Sequence, residues 1–183
     1  HRDLHRLIRR QRQMCIRDSV KTLNELAGGH GVGRIDHVEN RLVGIKSREI
    51  YEAPAATVLL QAHQALQALT LAKEQLRFKQ KVAMEYADLI YNGLWFTSLH
   101  EDLAAYIESS QRHVTGTVRL KLFKGSCSVV GRKSPHSLYS YGLATYDKGD
   151  VFDQSAAAGF IHIWGLPVKT QAQVQGTGQL EKS

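Results

Sequence analysis

Cysteine, long apolar runs and internal repeats are what this sequence lacks, and each absence removes a class of protein. Two cysteines, Cys15 and Cys127, are too few for a disulfide framework or a cysteine-based zinc site, so no structural metal is expected. No apolar run approaches the roughly 18 residues that span a bilayer. The arginine-rich start carries no apolar stretch of the kind a secretory signal requires, which points to a cytoplasmic address and no membrane partner. Without repeats or a low-complexity linker, a solenoid or a multi-domain array is excluded. What remains, 43% apolar and 22% charged residues over 183 positions, is the composition of an ordinary globular domain with its own core.

The formal charge of +7 invites a nucleic-acid reading, but it is unevenly spread. Residues 1–19 hold six arginines against Asp3 and Asp18, a net +4, which leaves only +3 for residues 20–183. The first segment has two readings on its residues. It is a short basic amphipathic helix with Leu4, Leu7 and Ile8 on one side, a non-enzymatic interaction or nucleic-acid-binding arm, although no aromatics are interleaved with its arginines to stack on bases. Alternatively it is foreign to the domain, since the string from Arg10 to Ser19 resembles a translated library-preparation adapter; residues 1–19 are then excluded from fold reasoning and native sequence begins at about Val20. His1-Arg2-Asp3-Leu4 matches the start of a kinase catalytic loop, but Ile8 stands where that loop needs its magnesium-binding Asn.

From Val20 the pattern is that of one α+β domain, antiparallel strands packed with several long helices. Leu23 and Leu26 predict a short helix that stops at Gly28-Gly29. Residues 34–51 read as two strands with a reversal between them, Ile35, His37 and Glu39 lying on one side and Val38 on the other. Pro54 begins a helix over 54–69 with Leu59, His63 and Leu66 at helical intervals. Thr70 is placed to cap a second, striped by Leu71, Phe78, Val82, Tyr86, Leu89 and Ile90 and closed at Asn92-Gly93. The sequence Ser98-Leu-His-Glu101 is a capping box for a third, to about Gln111. Alternation over Val118, Leu120 and Leu122, a turn at Lys124-Gly125-Ser126 and the run Cys127–Gly131 predict a hairpin with one wetted face. Residues 134–153 are mixed, 154–164 suit a buried helix, and 165–183 fade into a Gln/Gly-rich tail.

The cluster Gly28-Gly29-His30-Gly31-Val32-Gly33 resembles a phosphate-cradling loop. It follows a helix and precedes a strand, the reverse of the order a nucleotide site needs, so a turn and cap are favoured. The next block is unusually polar for strands. On its residues alone it is equally an exposed hairpin of solvated charges. As a string it is distinctive: Gly31-x-Gly-Arg-Ile-Asp-x-Val-Glu-Asn-Arg41, then Gly44-x-Lys-Ser-Arg-x-x-Tyr-Glu-x-Pro54. This resembles the signature of argininosuccinate synthases, and the similarity continues through Ala83–Asn92, Gly131–Ser134, Ser137-Leu138-Tyr139 and Ala156–Ile163.

That resemblance implies a specific function. The family joins citrulline and aspartate at the expense of ATP, through a citrullyl-adenylate and with release of AMP and pyrophosphate, in arginine biosynthesis and the urea cycle. Residues 20–183 would be its C-terminal catalytic and multimerisation domain, truncated, in a protein that assembles as a homotetramer. The glutamate and tyrosine that bind citrulline in the family correspond to Glu39 and Tyr51. A carboxylate suits the ammonium of citrulline and a phenol suits a neutral polar group. Glu49 stands where many members have glycine, which puts the local backbone in question but neither ligand. The family's nucleotide loop, Ser-Gly-Gly-x-Asp, has no counterpart in this sequence. ATP and its Mg2+ are therefore expected on a domain outside it, no cofactor on this chain, no catalytic residue is assigned, and the chain alone is expected to be inactive. Twelve residues of continuous strand would separate Glu39 from Tyr51 by about 40 Å. A shared ligand thus requires a reversal within residues 40–48, most readily at Gly44.

Overall fold

The computed structural model of this chain describes residues 2–143 and 153–176, with side chains from Ile16 onward. They form helix α1 (Arg2–Gly29), strands β1 (Arg34–Asn40) and β2 (Lys46–Glu52), helices α2 (Pro54–Thr70), α3 (Lys73–Tyr91) and α4 (Ser98–Ser110), strands β3 (Thr117–Phe123) and β4 (Ser126–Lys133), a 3-10 turn at Tyr141–Leu143, and helix α5 (Ala156–Gln175). The fold is α+β, as expected: both sheets are two-stranded antiparallel hairpins, β1–β2 and β3–β4. The chain divides into two compact units, residues 1–139 and 140–183.

In the first unit the core lies where α1, α2 and β3–β4 meet. Ala27, Val32 and Val58 are buried together, with Leu23, Leu120, Leu122 and Cys127 packed on them. Every other residue of β3 points inward, so period-two alternation translates directly into one covered and one wetted face. Burial pushes the Cys127 thiol pKa up. Gly33, at φ 88°, lets the chain leave α1 and pass Pro54, where a Cβ would sit 2.6 Å from the proline backbone. The Asn24 side chain accepts a hydrogen bond from the Ala55 amide at 2.9 Å and so ties the end of α1 to the start of α2. A second contact joins α3 and α4, where Phe78 and Tyr106 meet edge to face at 5.3 Å.

Several local expectations are corrected. The helix expected over 20–27 is the end of a helix that runs unbroken from Arg2; the side chains of Leu4, Leu7 and Ile8 lie outside the described residues. On α2 the buried face is not the Leu59 and His63 stripe but Ala55, Val58 and Ala65, because small side chains permit the close approach of α1 and the β3–β4 hairpin. Thr70 does not cap α3: it ends α2 with its hydroxyl donating to the Leu66 carbonyl, and Ala72 precedes α3 without a side-chain cap. The cap of α4 is Thr97, one residue before the expected Ser98, its hydroxyl accepting from the His100 amide. In the second unit α5 begins at Ala156, runs on past the expected end to Gln175 with Pro167 inside it, and has no buried residue. Phe160 and Trp164, one helical turn apart, stack at 5.5 Å on its exposed surface. Residues 144–152 of the mixed stretch and 177–183 of the tail lie outside the described residues.

Candidate functional site

The β1–β2 hairpin reverses at residues 41–45. The Gly44 amide donates to the Arg41 carbonyl at 2.7 Å and the Arg41 amide to the Ile45 carbonyl at 2.8 Å, with Gly44 at φ 82°. Glycine takes that backbone without strain. The register then pairs Ile35 with Tyr51, His37 with Glu49 and Glu39 with Ser47. Directly paired residues of an antiparallel hairpin share a face, so Glu39 and Tyr51 lie on the same one. They are four positions apart along it, roughly 13 Å between Cα atoms by strand rise, against the 40 Å of an unbroken strand.

Charge on this face is concentrated near the turn. Arg41 places Nη1 3.0 Å from Glu39 Oε1, while its Nη2 donates to Glu49 Oε1. Glu39 is the more sheltered carboxylate, its side chain 15% exposed against 35% for Glu49. Ser47, directly across from Glu39, has a covered hydroxyl with no hydrogen-bond partner among the described residues. The Tyr51 phenol pKa is raised, first by its partial desolvation and then by the Glu39 and Glu49 charges, with Arg41 opposing and hydrogen bonding with Glu39 adding a little. His37 stands beside Tyr51 with ring centroids 6.5 Å apart. The face therefore offers two carboxylates, one shared guanidinium, an imidazole and a phenol. Chemically, such a set can offer negative charge to an ammonium and neutral donors and acceptors to other polar groups.

Between β1 and α3 lies an open cleft of about 410 Å³ with a mixed polar and apolar lining. It is lined by Glu39 and its strand neighbours and, from α3, by Ala87, Asp88 and Tyr91. The Tyr91 hydroxyl donates to the Asn40 carbonyl at 3.2 Å across one end. Glu39 opens into this cleft; Tyr51 shares its face but is not among the lining residues. Arg41, Ser47 and Glu49 were not singled out from sequence as site residues, yet odd-numbered alternation combined with the reversal would have put all three beside Glu39. Among the described residues no group of three or more His, Cys, Asp or Glu is arranged to hold a metal ion, and no helix is long and apolar enough to cross a membrane.

Comparison with known proteins bears on what this face serves. The family described as Arginosuccinate synthase C-terminal domain matches residues 8–171. The argininosuccinate synthase of Dehalococcoides mccartyi strain 195 is 69% identical over 163 residues, 89% of this chain and 40% of that protein. Those of Symbiobacterium thermophilum and Listeria welshimeri are 62% and 56% identical, over 85% and 88% of this chain and 39% and 40% of their own lengths. The chain thus spans about 40% of the length of the curated relatives it matches. Through its own residues 8–171 it belongs to the argininosuccinate synthase family, as the C-terminal domain.

Proposed function

We propose that this chain supplies the citrulline-binding part of an ATP-dependent ligase that joins citrulline to aspartate, through a citrullyl-adenylate and with release of AMP and pyrophosphate. The observation that carries this reading is the reversal at 41–45, with Glu39 and Tyr51 on one hairpin face. Glu39 receives the citrulline ammonium in a charge-assisted hydrogen bond, and Tyr51 offers its phenol to a neutral polar group of the same molecule. Their work is to bind and orient, since catalysis of this kind depends on holding the ureido oxygen in place for attack on the nucleotide.

The glycine cluster at 28–33 does not fit a nucleotide. The glycines of 28–33 follow α1 instead of opening a helix, and the amides of Gly31 and Val32 already donate to the Gly28 and Ala27 carbonyls. We propose that ATP, Mg2+ and the aspartate site lie outside this chain and that the chain alone is inactive. Residues 20–183 form the catalytic and multimerisation domain in this reading, and residues 1–19 are proposed to be foreign to it, although the family match begins at residue 8. Among the α1 side chains described, which begin at Ile16, Leu23, Asn24 and Ala27 meet the core or α2. Helix α5, which has no buried residue and leaves Ile161, Ile163, Leu166 and Val168 open to solvent, is the segment proposed to pack on neighbouring subunits of a cytoplasmic homotetramer.

The test is kinetic. In a full-length synthase carrying this chain as its C-terminal part, Glu39→Gln is expected to raise the citrulline KM by roughly 10- to 100-fold, the scale of a lost charged hydrogen bond of about 1.5–3 kcal/mol. The ATP KM should change little. Equal increases in both would remove Glu39 from the citrulline site.

A further inference from the structure

The carboxylate proposed to receive the citrulline ammonium is already engaged. Arg41, at the start of the turn, divides its fork: Nη1 lies 3.0 Å from Glu39 Oε1 and Nη2 bonds Glu49 Oε1. A guanidinium carries one positive charge spread over its nitrogens, so here one charge serves two carboxylates and the three groups together remain negative. With Glu49 neutral, both η nitrogens would be free to close on Glu39 in the bidentate geometry that guanidinium and carboxylate favour. The result would be a neutral pair. An incoming ammonium would then have to displace a satisfied partner instead of joining a carboxylate with charge to spare.

Burial makes the division matter more at Glu39 than at Glu49. The Glu39 side chain is 15% exposed and that of Glu49 35%, so water and salt screen Glu39 less. The register fixes the arrangement, because the Glu49 to His37 pair sits one alternation away from the Glu39 to Ser47 pair on the same face. Tyr51, further along that face, feels both carboxylates as well as Arg41.

We infer that Glu49 is a specificity-determining positioning residue: by holding one half of the Arg41 fork it keeps Glu39 from pairing fully with Arg41 and leaves it receptive to an ammonium group. This rests on the citrulline reading of Glu39 given above. Glu49 itself touches no substrate in this account and acts only through Arg41.

The experiment is a double-mutant cycle on the citrulline KM in a full-length synthase carrying this chain, with Glu39→Gln measured alongside. Glu49→Gln is expected to raise the citrulline KM roughly two- to fivefold, the scale of a partly exposed ion pair. The effect should fall on the citrulline KM, not on kcat or the ATP KM, and Glu49→Asp should restore most of it. In an Arg41→Gln background the same Glu49 substitution should change nothing, because the fork it held is gone. Should the amide variant not fold, Glu49→Gly takes its place in both backgrounds. An equal rise with and without Arg41, or no rise at all, overturns the inference. If Glu39→Gln raises the citrulline KM and Glu49→Gln does not, only this inference falls; if Glu39→Gln has no effect, the citrulline reading itself fails.

Discussion

The two hairpins of this domain are built on the same plan and held by different forces. β3–β4 alternates strictly, burying Leu120, Leu122 and Cys127 against α2 and the end of α1 while its polar residues face water. β1–β2 has no buried residue: on its even-numbered face Val38 is 62% exposed and Ile50 72%, and on the other only Glu39, Ser47 and Glu49 are partly covered. Its strands are cross-linked by charge, with Arg48 gripping Asp36 through two bonds of 2.8 and 2.7 Å and Arg34 reaching Glu52 at 3.3 Å. The first hairpin is structural in the ordinary sense, since apolar burial gives its register a strong preference. In β1–β2, by contrast, the side chains are not committed to the core. The side chains proposed to bind citrulline are thus carried on a hairpin that contributes little to the buried core.

Substitutions should separate the two hairpins clearly. Leu122→Ala removes a side chain packed on Ala27, Val32 and Val58 and is expected to cost about 2–4 kcal/mol, seen as a lower thermal midpoint of the full-length protein. Ile50→Ala, an equally large truncation on the exposed face of β2, is expected to stay within about 0.5 kcal/mol. A cost at Ile50 as large as that at Leu122 would mean that this face is covered by another part of the protein, and would redraw the comparison.

The smallest effect expected is one of pH. The Arg48 guanidinium holds the Asp36 carboxyl below its ordinary pKa. A depressed carboxylate adds stability that is fully present above its unfolded pKa, near 3.9, and is lost as pH falls through the lower folded value. Protection of the β1–β2 amides from hydrogen exchange should therefore fade on acidification below roughly pH 4. Asp36→Asn should remove that dependence. Both residues are well exposed, so the loss should be local to the hairpin and should shrink further in high salt.

Much of this was legible in the sequence, for reasons that differ from element to element. The hairpin reversal could be read because Gly44 follows Asn40 at short range and because a shared ligand forbids an extended strand. The face of β3 could be read because alternation with one buried side is itself the signal. The buried face of α2 could not, since it is set by Ala55 and Ala65, small residues whose importance appears only once α1 and β4 are packed beside them. The caps failed by one or two residues because Ser98 and Thr97 are equally good caps in isolation, and which hydroxyl meets the His100 amide is decided by where the preceding turn ends. The apolar run at 154–164 was expected to be a buried helix, but apolarity records only that a partner is wanted, not where it lies. At the site, Glu39 and Tyr51 came from resemblance, whereas the sharing of Arg41 between Glu39 and Glu49 depends on register and had to be seen.

The central claim is that one hairpin face presents Glu39 and Tyr51 to one molecule of citrulline. A crystal structure of the full-length protein soaked with citrulline tests it most directly. The account predicts the ligand against the odd-numbered face of β1–β2, its ammonium within about 2.6–3.2 Å of the Glu39 carboxylate and another of its polar groups at a similar distance from the Tyr51 hydroxyl. Citrulline bound elsewhere, or reaching only one of the two side chains, would contradict it.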